Sequence, residues 1–446
     1  MRCRGRHLRA IAPVLLALAL FPAFAARSAA APRIEHWRTD GGAGVYFIAA
    51  RELPIVDVRL LFDAGSARDE GAPGLAALTA ALLTQGSHAA DAQALADRLD
   101  GLGARLVARA DRDFTQVSLR SLSAPDRLDP AIDLLADVIA RPSLEAQAVA
   151  RERARAEVRI RARMQSLPAR LRDAAFGAAF AGHPYAHPVD GEPDAVSVLD
   201  AAAVRRFHAR HYGVRSVVVA IVGDLDLHAA RRLASRVVRA LPDAPPPALL
   251  APPASGEAAA RVRIAAASTQ VHVALVQRGV RLHDPDYFPL LVANHAFGGA
   301  TFVSRLFQEI RDRRGLSYGV ASALVPLRTG GLFLIELATR ADQAEAAVTG
   351  VEAELRRFLQ EGPTQAEIDA ARRNLAGGFP LRIDSNAKKL DLLAQIAWHG
   401  LPLDYLETWP GQVARVTREQ AFDAFRRRVQ PGAMTTIVLG GDPPRP

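Results

Sequence analysis

The sequence is poor in cysteine, lysine and aromatic residues. Its 446 residues include one cysteine, Cys3, and only two of its 56 Lys and Arg residues, Lys388 and Lys389, are lysines. A chain with one cysteine forms no internal disulfide, so its stability must come from a hydrophobic core. The many arginines alternate with acids, as in residues 309–314, which is typical of solvated helix faces. We therefore expect no nucleic-acid partner, despite the net charge of +9.

Long apolar runs are also scarce. The one candidate, residues 11–24, follows four arginines and ends at the small-residue sequence Ala23-Phe24-Ala25. This order is typical of a secretory signal peptide, which we place at residues 1–25. Because the run is short for a membrane span, cleavage and export to the periplasm are favoured over the alternative, an uncleaved membrane anchor. Cleavage removes Cys3 and four arginines, lowers the net charge from +9 to +5, and leaves no stable membrane span.

Two apolar strands that end in Gly-Asp indicate an internal repeat. Their glycines, Gly223 and Gly441, are 218 residues apart. Upstream, Ser143 and Thr364 each follow a proline and precede a nearby acid and a long helical pattern, as the N-cap of a helix does. A repeat of this length predicts two duplicated domains rather than a solenoid.

A proline-rich segment divides the two repeats. Residues 242–258 are predicted to form an extended linker, because their prolines disfavour a helix or a central strand. The linker separates an N-terminal domain at 33–241 from a C-terminal domain at 259–446. Strand patterns precede longer helical patterns in both domains, at 56–62, 114–120, 271–277 and 331–338. We predict an α+β fold of two homologous α/β-sandwich domains, each a mainly antiparallel sheet covered by helices.

Four segments carry motifs in a defined order. Residues 56–87 place a strand, Ala64-Gly65-Ser66, an acidic loop and a helix in succession, and residues 183–191 contain a His-Pro-Tyr sequence and a later glycine. Residues 207–224 contain His211-Tyr212 and a strand that ends in Gly-Asp, and residues 297–318 contain a Gly-Gly pair followed by a helix and a turn. Together they resemble the pitrilysin/insulinase family of zinc metallopeptidases, whose "HPY…G" loop corresponds to 183–191 and whose "GG…SRLFQELREKRGLAY" helix and turn match 297–318 at almost every position. The resemblance extends over nearly the whole mature chain, and the chain is similar to the non-catalytic subunit in the family's processing-peptidase branch.

The family's metal ligands are missing from this sequence. Its first helix carries His-x-x-Glu-His, two zinc ligands and a general base, and these positions fall at Ala77, Ala80 and Ala81. Alanine neither coordinates a cation nor accepts a proton. The resemblance therefore implies no metal or cofactor in this chain and no peptidase activity of the chain alone. Glu157 stands at the place of the family's distal glutamate ligand, and we interpret it as a surface glutamate of a helix.

The second domain retains another pair of family residues. In active members an Arg and a Tyr seven residues apart hydrogen-bond the substrate backbone and the oxyanion, and Arg311 and Tyr318 match that spacing and motif. A guanidinium and a phenol can both donate to a carbonyl oxygen that gains charge in the transition state. The alternative interpretation is structural, with a surface arginine on a helix and a tyrosine in the core.

Three further patterns predict a metal or catalytic site less well. His183 and His187 each precede a proline that interrupts a helix, and His208 and His211 lie on a predicted helix without an acid to complete a ligand set. Residues 315–319 match the G-x-S-x-G nucleophile elbow, which requires a strand before the serine and a helix after it. Here the predicted helix comes first. We interpret the histidine pairs as structural and the serine motif as a coincidence.

The leading hypothesis is a non-catalytic subunit of a periplasmic heterodimeric zinc metallopeptidase. A partner subunit of the same family would carry the zinc, while this chain closes the chamber, aligns a peptide or unfolded polypeptide and supplies Arg311 and Tyr318. The alternative is a proteolytically inactive peptide-binding or scaffold protein of the same fold. A third possibility, an independent enzyme with a rebuilt metal site, lacks the necessary ligands.

Overall fold

The computed structural model describes residues 31–254 and 259–441. The predicted signal peptide at 1–25 lies outside these residues, as does part of the predicted linker. The described linker residues, 242–254, contain no helix or strand. Within the described ranges, no helix has both the length and the apolar composition that crossing a membrane requires.

The N-terminal half is built around one six-stranded sheet with strand order β1-β2-β8-β3-β7-β6. Its strands are β1 (Glu35–Arg38), β2 (Gly44–Ala49), β3 (Ile55–Phe62), β4 (Gly86–Ser87), β5 (Ala90–Asp91), β6 (Arg105–Ala110), β7 (Thr115–Leu122) and β8 (Val218–Gly223). Its helices are α1 (Leu75–Leu82), α2 (Ala92–Leu102), α3 (Pro125–Ala140), α4 (Ala146–Met164), α5 (Leu167–Ala179), α6 (Pro193–Ser197), α7 (Ala201–His211) and α8 (Leu227–Val238). Strands β4 and β5 form a separate short ribbon.

The C-terminal half contains a five-stranded sheet with strand order β9-β13-β10-β12-β11. Its strands are β9 (Arg261–Ile264), β10 (Gln270–Arg278), β11 (Val320–Pro326), β12 (Gly331–Arg340) and β13 (Thr435–Gly440). Its helices are α9 (Tyr287–Asn294), α10 (Ala344–Glu361), α11 (Gln365–Gly377), α12 (Asn386–His399), α13 (Tyr405–Arg415) and α14 (Arg418–Arg428), with π-helical turns at His295–Gly299 and Phe307–Arg313.

The two sheets have the same topology, which confirms the predicted duplication and fold class. The order β2-β8-β3-β7-β6 in one half corresponds to β9-β13-β10-β12-β11 in the other. The strands of the Gly-Asp repeat are β8, which ends at Gly223, and β13, which ends one residue before Gly441. Each pairs in parallel on one side only, β8 with β2 and β13 with β9. The other pairs within both sheets are antiparallel.

The N-terminal sheet buries one face under helices of its own half. Because side chains alternate along a strand, Val58, Leu60 and Phe62 of β3 point to this face, and all three are fully buried. They share a core with residues of α1 and α3, including Leu78 and Leu135. The amphipathic patterns of the sequence are therefore sufficient to explain this layer.

Each half also contributes one helix to the sheet of the other half. Helix α12 of the C-terminal half packs on β2, β3 and β8, where Leu61 and Val222 are buried. Helix α5 of the N-terminal half packs on β10, β12 and β13, where Phe176 and Leu334 share a core. The two halves therefore stabilise each other by burying apolar surface that neither half can cover alone.

The two predicted helix starts differ in outcome. Thr364 is the N-cap of α11 and forms a capping box with Glu367, as predicted. The corresponding prediction for Ser143 is wrong, because α4 begins after Glu145. The backbone N–H of Ser143 instead donates to the carbonyl of Gly86 at 3.1 Å, which keeps the chain extended beside the β4–β5 ribbon.

Candidate functional site

Helix α1 carries the three alanines that replace the family's metal motif. Ala77 and Ala81 lie one turn apart and are partly exposed, whereas Ala80 is buried. The start of α1 is held by Asp69, whose buried carboxylate accepts hydrogen bonds from the backbone N–H groups of Gly74 at 2.8 Å and Ala76 at 2.7 Å. Burial raises the pKa of Asp69 to about 7, although both hydrogen bonds act in the opposite direction. The helix is thus positioned without any metal ligand.

The "HPY…G" loop supports the start of α1. Gly191 has a φ of +73°, and a Cβ at this position would lie 2.3 Å from the carbonyl oxygen of Pro73. Gly74 has a φ of +96°, and its Cβ would lie 2.7 Å from the carbonyl oxygen of Asp190. Only glycine allows both the left-handed conformation and this close approach. Gly191 therefore lets the loop pack closely against the start of α1, the helix in which alanines replace the metal motif.

Glu157 lies on α4, which packs against α1. Its carboxylate forms an ion pair with Arg161 at 2.9 Å, and its side chain is 22% exposed. The neighbouring Arg155 donates to the side-chain oxygen of Gln85 at 3.0 Å, which ties α4 to the end of α1. Within residues 31–254 and 259–441, no three His, Cys, Asp or Glu side chains form a group that could hold a metal ion. The carboxylate of Glu157 therefore already has a cationic partner on its own helix.

Arg311 belongs to the π-helical turn Phe307–Arg313, which packs on β11. Its guanidinium lies over the ring of Phe307, 4.7 Å from the centroid, and 5.6 Å from the centroid of Phe302. In the described part of the chain it forms no ion pair, unlike the neighbouring Arg313, which contacts Glu309 at 2.9 Å. Two aromatic rings thus hold the guanidinium in place, and its N–H donors have no partner among the residues that the structure describes.

Tyr318 lies on the surface, 92% exposed, so the alternative that it is a core tyrosine is wrong. Its phenol has no hydrogen-bond partner among the described residues, yet the backbone around it is well held. Ser317 is buried and donates from its hydroxyl to the carbonyl of Ala338 at 2.7 Å, and the backbone N–H of Leu316 donates to the carbonyl of Ile310 at 2.9 Å. A fixed turn therefore presents a free phenol to solvent.

The same turn explains the G-x-S-x-G match. Ser317 follows a helical turn and precedes strand β11, which is the reverse of the order that a nucleophile elbow requires. Its hydroxyl is buried and used to fix the backbone. The interpretation of this motif as a coincidence agrees with the geometry.

Two exposed apolar residues beside Arg311 were not predicted. Phe302 and Val303 are each 64% exposed, and Phe302 has a φ of +70°, which is strained for a residue with a side chain. The ring of Phe302 also packs edge-on against Phe307, with centroids 5.0 Å apart. The only available signal in the sequence was an aromatic residue in the loop after Gly298 and Gly299, which does not specify exposure.

The four histidines bind backbone carbonyl groups rather than one another. Ring nitrogens of His183, His187, His208 and His211 lie 2.9–3.1 Å from the carbonyl oxygens of Ala251, Pro188, Ile139 and Asp63 respectively. Burial lowers the pKa of His183, His208 and His211. Both histidine pairs therefore have structural contacts of their own.

The "HPY…G" tyrosine joins the two halves through a buried polar network. Tyr185 is fully buried, and its hydroxyl donates to the carboxylate of Asp113. The same hydroxyl oxygen accepts from the side chain of Thr329 at 3.1 Å, and Asp113 accepts from the backbone N–H of Arg328 at 2.8 Å. The Arg328 guanidinium also contacts Asp63 at 3.1 Å. The β11–β12 turn is thus bound to the N-terminal half.

The two groups of candidate residues lie on different sheets. Helix α1 packs on β6 and β7 of the N-terminal sheet, whereas the turn that carries Arg311 packs on β11 of the C-terminal sheet. No hydrogen bond or ion pair joins the two groups within the part of the chain that the structure describes. The described residues therefore place the two groups in different halves of the molecule.

Two family models match the sequence. Residues 46–192 match the insulinase family, peptidase family M16, and residues 199–375 match the peptidase M16 inactive domain. The first match contains the three alanines and Glu157, and the second contains Arg311 and Tyr318.

Individual proteins are similar over both halves of the chain. An uncharacterized zinc protease of Mycobacterium leprae is 31% identical over 338 residues, which cover 72% of this chain and 73% of that protein. A non-peptidase homolog from Helicobacter pylori is 21% identical over 390 residues, with coverage of 87% and 89%. A crystal structure of the peptidase M16 inactive domain from Pseudomonas fluorescens has a TM-score of 0.88 and 36% identity, covering 93% of this chain and 99% of that chain.

Proposed function

Because the chain belongs to the insulinase family, peptidase family M16, and resembles its inactive members, we propose that it is the non-catalytic subunit of a heterodimeric zinc metallopeptidase. The partner subunit holds the zinc and the general base. This chain supplies Arg311 and Tyr318 to the shared site and closes the chamber around an extended peptide.

The observation that carries the proposal is the presentation of Tyr318 and Arg311. The phenol is 92% exposed on a backbone fixed by buried hydrogen bonds, and the guanidinium is held by two rings and forms no ion pair with the described residues. Such donors can stabilise the oxyanion of a peptide-bond transition state in a partner's active site. A surface tyrosine without this role gains nothing from so rigid a support.

Peptide alignment has a structural basis in one outermost strand of each sheet. Strands β6 and β11 are the outermost strands of their sheets and pair with β7 and β12 alone. An extended peptide can add to such an edge through backbone hydrogen bonds. We propose that this chain aligns a substrate in this way, with Phe302 and Val303 offering apolar contact near Arg311.

One specific observation favours a second candidate function, a proteolytically inactive peptide-binding or scaffold protein. The Helicobacter pylori relative is named a non-peptidase homolog. Under this alternative the fold and the sheet edges bind peptide, and Arg311 and Tyr318 have no effect on hydrolysis. The two candidates therefore predict different results for the same variants.

The test is hydrolysis of a quenched peptide by this chain, by a family member with His-x-x-Glu-His from the same organism, and by their mixture. We expect chelator-sensitive activity in the mixture only. Tyr318→Phe and Arg311→Gln should each lower kcat by about 10²–10³, the effect of removing one oxyanion donor. Arg313→Gln is the matched control, because Arg313 lies on the same turn but is already paired with Glu309.

Three results would contradict the proposal. Chelator-sensitive activity of this chain alone would mean that the three alanines do not abolish a metal site. If the Arg311 and Tyr318 variants were as active as the Arg313 control, then Arg311 and Tyr318 would have no role in catalysis. Peptide binding without hydrolysis in any mixture would favour the scaffold function.

The periplasmic location is a separate part of the proposal and rests on residues 1–25 alone. We expect the mature chain to begin after Ala25 and to fractionate with periplasmic markers. N-terminal sequencing of the protein from its native cells tests this, and an intact N-terminus in a membrane fraction would favour the uncleaved anchor.

A further inference from the structure

One face of the N-terminal sheet carries four arginines, which we call the arginine face: Arg59 of β3, Arg120 of β7, and Arg105 and Arg109 of β6. The strand registers place them together, because Arg59 lies opposite Ser118 and Arg105 lies opposite Arg120. Directly opposed residues of paired strands point to the same side of a sheet. This side is the one opposite to α1 and α3.

Half of this positive charge has no acidic partner. Arg59 contacts Asp391 of α12 at 2.6 Å, and Arg120 contacts Asp57 at 2.7 Å. Arg105 and Arg109 are exposed and form no hydrogen bond, ion pair or ring contact with the described residues. Arg105 also lies directly opposite Arg120, and like charges at such positions destabilise a sheet. Because Asp57 offsets the charge of Arg120, Arg105 and Arg109 are the cations of this face that remain available to an anionic group.

The arginine face is open to a ligand. Helix α12 covers β2, β3 and β8 on this side of the sheet but not β6 or β7, and Val107 and Leu122 are each 43% exposed there. The β6–β7 turn at 111–114 continues into a cleft of about 670 Å³ between the two halves, bounded by α12 and the end of β11. An extended segment can lie along β6 beside this cleft.

The C-terminal sheet shows that the fold does not require these arginines. Strand β11 occupies the position that β6 occupies in the other half, and its exposed residues are Ala321 and Ala323. Ala321 lies opposite Glu336 rather than opposite an arginine. Of these two corresponding edge strands, β6 therefore carries a pair of exposed arginines and β11 does not.

We propose that the arginine face selects acidic extended peptides, with Asp or Glu at alternate positions along the strand that adds to β6. Side chains of an added strand reach the same face at every second residue, so carboxylates four residues apart can pair with Arg105 and Arg109. This inference rests on the proposed peptide-aligning function and names its substrate class. Charged edge residues can also serve only to prevent aggregation, and that role predicts no preference for peptide charge.

The test measures binding of two labelled peptides to the full chain by fluorescence anisotropy. Both have the same Val/Thr backbone, with Glu at alternate positions in one and Lys in the other. We expect the Glu peptide to bind roughly tenfold more tightly at low ionic strength, as two partly exposed opposite-charge pairs allow. Added salt should reduce this preference.

Variants separate recognition from stability. Arg105→Gln with Arg109→Gln should abolish the preference, and the Lys variants of both should retain it. Arg98→Gln with Arg151→Gln is the matched control, because both arginines are exposed, have no partner in the described chain and lie outside this face. Arg105→Gln alone should weaken binding of the Glu peptide and leave the Tm unchanged, because Arg105 is exposed and has no partner among the described residues.

The inference is overturned if both peptides bind equally or if neither binds. It is also overturned if the control pair of variants loses the preference for the Glu peptide to the same extent. If the mixed peptidase still depends on Tyr318 in that case, the proposed function stands without an acidic preference. If the preference is found but no mixture hydrolyses peptide, the acidic binding surface stands and the heterodimeric peptidase fails.

Discussion

Replacing Tyr185 by phenylalanine removes one hydroxyl from the network that joins the two halves. The ring is fully buried, and its hydroxyl donates to Asp113 and accepts from Thr329 at 3.1 Å. The substitution deprives the Asp113 carboxylate of one donor and the Thr329 hydroxyl of its acceptor. Each buried group left unpaired costs about 1–3 kcal/mol, and we expect the free energy of unfolding to fall by about 2–4 kcal/mol.

The effect of this substitution should depend on pH. Burial raises the pKa of Asp113 above its usual value, while the Tyr185 hydroxyl lowers that pKa by donating to the carboxylate. Because the pKa of Asp113 is raised in the folded state, the stability that this group contributes is fully present at low pH and is lost as the pH rises through the folded-state pKa. Removing the hydroxyl raises the pKa of Asp113 further. Tyr185→Phe should therefore destabilise the protein more in neutral solution than in acid.

The assay is thermal and urea unfolding of both proteins in acidic and in neutral solution, since a buried carboxyl with a raised pKa is more protonated in acid. Tyr318→Phe is the matched control, because its phenol is exposed and unpaired and its loss should leave stability unchanged. Wild-type stability in Tyr185→Phe, or a destabilisation larger in acid than in neutral solution, would refute the reasoning.

Three further predictions follow from the packing. Gly191→Ala should destabilise the protein by at least about 1–3 kcal/mol, because the φ of Gly191 is +73° and the added Cβ meets Pro73. Gly182→Ala is its control and should cost only the backbone strain, since nothing lies near the Cβ at that position. Urea unfolding of both variants checks this difference. Ala77→His with Ala81→His should bind zinc with the help of Glu157, so added zinc should raise the Tm, and Glu157→Gln should remove this gain. Residues 33–241 alone should be poorly folded by circular dichroism, because α12 is absent from their sheet. Mixing them with residues 259–446 should restore structure, and two halves that fold independently would contradict the shared core.

Much of the fold could be predicted from local patterns. The strand predictions at 56–62 and 331–338 lie within β3 and β12, and the predicted N-cap Thr364 directly precedes α11. Alternating and helical periodicities depend on nearby residues, which is why they can be found without the tertiary structure. The start of α4 was misplaced because Ser143 bonds to Gly86, a contact between residues far apart in sequence.

For the candidate site, the sequence alone determined which side chains are available: alanines at 77, 80 and 81, and a donor pair at Arg311 and Tyr318. Only the tertiary structure decided that Tyr318 is exposed, that α5 and α12 cover each other's sheets, and that Arg105 faces Arg120. A sequence pattern states which face of an element is apolar or charged, but not what lies against it. That choice depends on strand order and on contacts between distant parts of the chain, which exist only in the folded molecule.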